Sequence, residues 1–96
     1  MNYPDDATLI ARGQYSTLTA ERRECLRRLR TNAEALAENG RRILRDLEEM
    51  AFAGEQIELV AEHAADARQI IKRISELDNM RDVLRSAAWG NQKDTE

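Results

Sequence analysis

After Pro4 the chain contains no proline, and from Thr19 to Ala88 it is dominated by the good helix formers Ala, Leu, Arg, Glu, Gln and Met. Period-two alternation of apolar and polar residues, the mark of a half-buried strand, appears nowhere, so long helices are predicted. Leu26, Leu29, Ala33, Leu36, Ile43, Leu47, Met50, Ile57, Ala61, Ala64, Ile71 and Ile74 follow one another at helical spacing, with Gly40 and Gly54 in slots of the same series. A stripe of this kind, sustained over successive heptads, predicts helices that lie nearly parallel or antiparallel to a partner helix. The expected fold is all-α: a long antiparallel helical hairpin, coiled-coil-like, with a short N-terminal helix, self-associating into a helical bundle.

The boundaries follow from local signals. Pro4 to Arg12 reads as a short helix that Gly13 ends, within an N-terminal arm over residues 1–17. Thr19 followed by Glu21 reads as an N-cap with an acid in the first turn, which starts a helix over 18–53. Gly54 is the expected apex, residues 55–88 the returning helix and 89–96 a polar tail, all in one domain. Asn39-Gly40 is the other candidate turn, and a helix passing straight through Gly54 to pair with a second chain satisfies the same register. A fold about Gly54 sets opposite charges face to face: Glu24 with Arg85, Arg27 with Asp82, Arg30 with Asp78, Glu34 with Arg73, Glu38 with Lys72, Arg41 with Asp66 and Arg45 with Glu62. A fold about Gly40 puts Glu34 against Asp46 and three arginines against apolar residues. Exposed ion pairs contribute only about 0.2–1 kcal/mol each, so they select register more than they stabilise.

A second set of apolar residues (Leu44, Ala51, Leu59, Val60, Ala65, Ile70, Leu77 and Leu84) lies off the main stripe and predicts a second buried seam. A chain of 96 residues with 4% aromatic residues makes a thin core, and a homo-oligomer, dimer or larger, would fill that seam. The aromatic-x-Gly triplet Phe52-Ala53-Gly54 resembles the Trp-x-Gly turn of a family of small secreted helical hairpins. The resemblance covers three residues and a shape. Phe replaces the Trp, and no Tyr-x-x-x-acid export signal stands near residue 96, so no family membership follows.

Charge is segregated. Residues 12–45 carry nine Arg against four Glu, a net +5, while residues 46–96 carry twelve acids against six bases, a net −6. Residues 46–66 hold seven acids and neither Lys nor Arg. Arg22, Arg23, Arg27, Arg28, Arg30, Arg41, Arg42 and Arg45 are therefore the candidate nucleic-acid face, since guanidinium groups along a rigid element are what phosphate contacts require. Against that reading, the net charge is −3, no aromatic residues interleave with these arginines to stack on bases, and the arginines spread around the helix.

Catalytic chemistry finds no footing. His63 is the only histidine, and position 60 is Val where a di-iron helix needs Glu, so no metal is expected. Cys25 is the only cysteine and reads as a buried structural thiol in a reducing, cytoplasmic compartment. Four glycines in all leave no phosphate cradle, no cofactor is implied, and a non-enzyme is expected. No stretch is long and apolar enough for a membrane span, and Asp5 and Asp6 stand where a signal peptide needs bases.

The functional expectation is a small protein–protein interaction module acting as a regulator, adaptor or inhibitor, such as a phage-type inhibitor of a host nucleic-acid or defence machine. Its expected partner site is the acidic run Glu48, Glu49, Glu55 and Glu58 around Phe52, which suits a basic protein, with Trp89 as a further anchor. Trp89 with Tyr15, Leu18, Leu9 and Ile10 equally reads as an aromatic plug closing the open end of the hairpin. The alternative function is a nucleic-acid-binding regulator that uses the Arg22–Arg45 face.

Overall fold

A computed structural model describes residues 4–48 and 50–90, with side chains at 4–48 and 54–90. Two helices, α1 over Asp6–Arg45 and α2 over Met50–Trp89, are joined by a turn at 46–48 and pack as an antiparallel hairpin. No strand occurs among the described residues. The expected hairpin is present, but its boundaries differ from those the local signals suggest.

The separate N-terminal helix does not exist, because α1 runs unbroken through Gly13 and Thr19. Glycine inside a helix costs only about 1 kcal/mol relative to alanine, so it stops a helix only where packing allows. Thr17 and Thr19 turn their hydroxyls inward along the helix and donate to the carbonyls of Gly13 (3.1 Å) and Tyr15 (2.9 Å). The N-cap is Asp5, whose Oδ1 accepts the Thr8 N–H at 2.7 Å. Thr8, through its side chain first and its backbone N–H second, also holds the Asp5 carboxyl below its ordinary value.

The apex is at neither glycine. Gly40 lies inside α1 and Gly54 inside α2, and the chain reverses between them. The Trp-x-Gly resemblance loses its structural basis with this placement.

The chain divides into two compact units, Met1–Glu24 with Ile74–Glu96 and Cys25–Arg73. In the first unit the two helices bury Ala11, Leu18, Leu77 and Ala88, and Leu77 at 0% exposure is the largest fully enclosed side chain. Tyr15, Arg22, Ile74, Arg81 and Leu84 are half-buried around them. In the second unit Cys25, Asn39 and Ile70 are buried, with Leu29, Asn32, Leu36, Ile43, Val60, His63 and Ala67 half-buried.

The inward stripe matches the expected one only in part, at half-buried Leu29, Leu36, Ile43, Ala64 and Ile74. Leu26, Leu47, Ile57 and Ile71, all on the expected stripe, are exposed, whereas Val60, Ile70, Leu77 and Leu84, expected in a second seam, face the hairpin interior. In α1 the deepest positions recur every seven residues at Ala11, Leu18, Cys25 and Asn39, with half-buried Asn32 in the same series. Several inner positions are polar (Asn39 buried, Arg22, Asn32, His63 and Arg81 half-buried), while several large apolar side chains stand outside.

The register changes accordingly. Asp78 pairs with Arg22 (2.6 Å) instead of Arg30, and Arg30 pairs with Glu34 along its own helix (3.7 Å). Glu38 takes Arg41 and Arg42 instead of Lys72, and Arg45 takes Asp46 instead of Glu62. Partners one to four residues away cost less side-chain ordering than partners on the facing helix, and local pairing wins at these positions.

Candidate functional site

In the first unit a cluster of arginines and aromatic rings joins α1 to α2. Tyr15 and Trp89 meet edge to face with centroids 5.0 Å apart and planes at 87°, the pairing that the plug reading expects. Arg81 lies 4.9 Å over the Tyr15 ring and Arg85 6.0 Å, and both donate to the phenol oxygen at 3.2 Å. The hydrogen bond from Arg85, assisted by Arg81, holds the Tyr15 hydroxyl below its ordinary pKa, and the same contact raises that of Arg85. Arg12 lies 5.6 Å from the Trp89 ring and donates its Nε–H to the Ala88 carbonyl at 3.0 Å, supplying the C-terminal cap that α2 lacks in its own last turn. Trp89 is half-buried here. Arg12, Arg81 and Arg85 escape a linear reading, because each meets its aromatic partner only after the chain folds back.

Beside this cluster a shallow apolar groove of about 760 Å³ is lined by Ile10, Gly13, Leu18, Met80, Val83 and Leu84, among others. Ile10 is 61% exposed and Val83 75%.

In the second unit the expected partner residues Glu48, Glu55 and Glu58 are exposed, and they share the unit with exposed Leu44 (71%), Leu47, Ile57 and Leu59. Glu49 and the Phe52 side chain lie outside the described residues. Of the eight candidate nucleic-acid arginines, Arg22, Arg30, Arg41, Arg42 and Arg45 hold carboxylates of the same chain, and Arg27 is also engaged. Arg23 and Arg28 are exposed. The bond from Arg41 to Glu38, at 2.9 Å, keeps that carboxyl below its ordinary value.

Cys25 is buried, and Arg28, Asp66, Gln69, Ile70 and Arg73 line the small cleft at its side. His63 is half-buried with Nδ1 3.3 Å from Asn32 Oδ1, a donor contact in the Nδ1–H tautomer. Among the described residues no three His, Cys, Asp or Glu side chains gather closely enough to hold a metal ion, and no helix is long and apolar enough to cross a membrane.

The arrangement defines a two-helix antiparallel hairpin with an apolar seam interrupted by polar groups and with several large apolar side chains left on its surface. Comparison with protein-family models, with curated proteins and with solved structures finds no match.

Proposed function

We propose that the chain is a non-catalytic protein-interaction module, a regulator, adaptor or inhibitor, that presents the acidic and apolar surface of its second unit to a basic protein partner. The observation that carries this reading is the exposure of Leu44, Leu47, Ile57 and Leu59 in the same unit as exposed Glu48, Glu55 and Glu58. Large aliphatic side chains left in water are what a partner buries, and acids near them raise the encounter rate with a basic surface. A phage-type inhibitor that competes for the basic surface of a host nucleic-acid or defence machine belongs to this class. The reading includes self-association to a dimer or larger, since among the described residues exposed large apolar side chains outnumber the buried ones. It also places the chain in the cytoplasm, where a lone buried thiol stays reduced.

The nucleic-acid alternative loses weight because most of its arginines are occupied by carboxylates. Two measurements on the full chain separate the readings. Replacing Glu48, Glu49, Glu55 and Glu58 by Gln, and separately Leu44 and Leu47 by Ala, should abolish capture of a specific basic protein while circular dichroism shows unchanged helicity. Fluorescence anisotropy with duplex DNA at two salt concentrations should show little binding. Salt-sensitive DNA binding that disappears on changing Arg27, Arg28 and Arg30 to Ala would replace this reading with the nucleic-acid one.

A further inference from the structure

We infer that two copies of this chain exchange helices: the turn at 46–48 runs on as helix, and each copy's α1 lies against the partner copy's α2 in an antiparallel dimer. The inference rests on the dimer proposed above and gives it a form in which the hairpin's own α1–α2 contacts are re-made between chains.

The turn is written in helix-forming residues. Arg45-Asp46-Leu47-Glu48-Glu49-Met50 contains neither glycine nor proline, and among the described residues none adopts a positive φ. Helical bonding continues past the end of α1, where the Asp46 N–H donates to the Arg42 carbonyl at 2.9 Å. Nothing in this stretch except Asp46 favours reversal over continuation.

The helix ends make the same point by contrast. The outer ends are finished: Asp5 caps the start of α1, and Arg12 caps the end of α2. At the inner ends no glycine follows Arg45, and no Ser, Thr, Asp or Asn immediately precedes Met50, whose first turn also lacks an acid. A helix end leaves up to four backbone groups without partners, and continuing the helix through the turn pairs them.

The periodicity also passes through the turn without a phase break. Ala11, Leu18, Cys25, Asn32 and Asn39 in α1, and Val60, Ala67, Ile74, Arg81 and Ala88 in α2, are all inward positions at intervals of seven, and the step from Asn39 to Val60 is itself a whole number of heptads. A continuous helix that supercoils with its partner therefore keeps these positions on one seam, which a facing copy can cover. The contacts that join the helices (Arg22 to Asp78, Tyr15 to Trp89, Arg12 to Ala88) run from α1 to α2 and form equally well between chains. Exchange of identical elements is a low-cost route to a dimer for that reason.

The test uses the full chain carrying Ser16→Cys and Ser86→Cys in a Cys25→Ala background, with donor and acceptor dyes on the same molecule. Both sites are exposed and belong to the first unit. In a closed hairpin the dyes stay together, whereas in a continuous helix the seventy residues between them span about 105 Å, too far for energy transfer. The labelled chain is unfolded and refolded with a tenfold excess of unlabelled chain, and its mass is measured by light scattering. Exchange predicts a dimer whose energy transfer is almost lost. A dimer that keeps full transfer would overturn the exchange while leaving self-association standing, and a monomer would overturn both. As a second variant, Leu47→Pro, which a helix interior does not tolerate, should weaken dimerisation at least tenfold and restore transfer. Unchanged dimerisation of that variant also refutes the inference.

Discussion

Leu77 offers the most direct test of which face of α2 is inside. It is fully enclosed, whereas Val83, six residues on, is 75% exposed. Truncating a buried Leu to Ala removes its transfer free energy and leaves a cavity, together about 2–5 kcal/mol. A seam between only two helices relaxes readily around a void, so the lower half of that range, about 2–3 kcal/mol, is expected. In a domain of 60–100 residues each kcal/mol moves the midpoint by about 4–8 °C, so Leu77→Ala should melt roughly 10–20 °C below the parent. Val83→Ala, which removes two methyl carbons already in water, should lie within about 0.5 kcal/mol of the parent. Thermal melts followed by far-UV circular dichroism at matched chain concentration give both numbers. Equal destabilisation by the two changes would refute the assignment of the inward stripe. A Val83→Ala effect that appears at high chain concentration and shrinks as the chain is diluted would instead show Val83 covered by another molecule.

Two further outcomes follow from single contacts. The Arg22 hydrogen bond holds the Asp78 carboxyl below its ordinary value of 3.8. Because the folded-state pKa is depressed, the stability that this contact contributes is fully present above the ordinary value and is lost as pH falls through the folded one. Asp78→Asn should therefore flatten the acid limb of a helicity–pH curve below about pH 4, and an unaltered limb would show that the pair contributes nothing. At Gly90 an added Cβ would run into the Ser86 carbonyl oxygen, so Gly90→Ala should unwind the last turn of α2. Amide hydrogen exchange should accelerate over residues 86–89, and unchanged protection there would remove the argument.

The helical class and the antiparallel pairing were legible because they depend on features that no tertiary contact reverses: a proline-free run and good helix formers throughout. The turn was not, since glycine is a weak stop signal and the true reversal at 46–48 carries neither glycine nor proline, only Asp46. The inward stripe was misplaced in part, for a different reason. α2 carries two apolar stripes, one through Ile57 and Ile71 and one through Val60, Ile70, Leu77 and Leu84, and propensity does not rank them. The choice rests on facing positions that include Arg22, Asn32, Asn39, His63 and Arg81, residues that a hydrophobic pattern assigns to solvent. The meeting of Tyr15 with Trp89 was readable, because few aromatic residues exist and both stand near the chain ends. Their arginine partners were not, being far away in sequence.

The contacts that close the first unit have a consequence for the order of folding. Arg12 reaches Ala88 across 76 residues, and Arg81 and Arg85 reach Tyr15 across 66 and 70. Contacts of such long range form only after much loop entropy has been lost, whereas pairing next to the turn closes a short loop. A hairpin that closes from its turn meets the barrier before the aromatic cluster exists, so the cluster acts on how slowly the native chain opens and hardly on how fast it forms. In a hairpin that closes from its turn, the arginines around Tyr15 and Trp89 would therefore act as a kinetic latch, setting the lifetime of the folded chain and leaving its rate of formation to the residues near the turn.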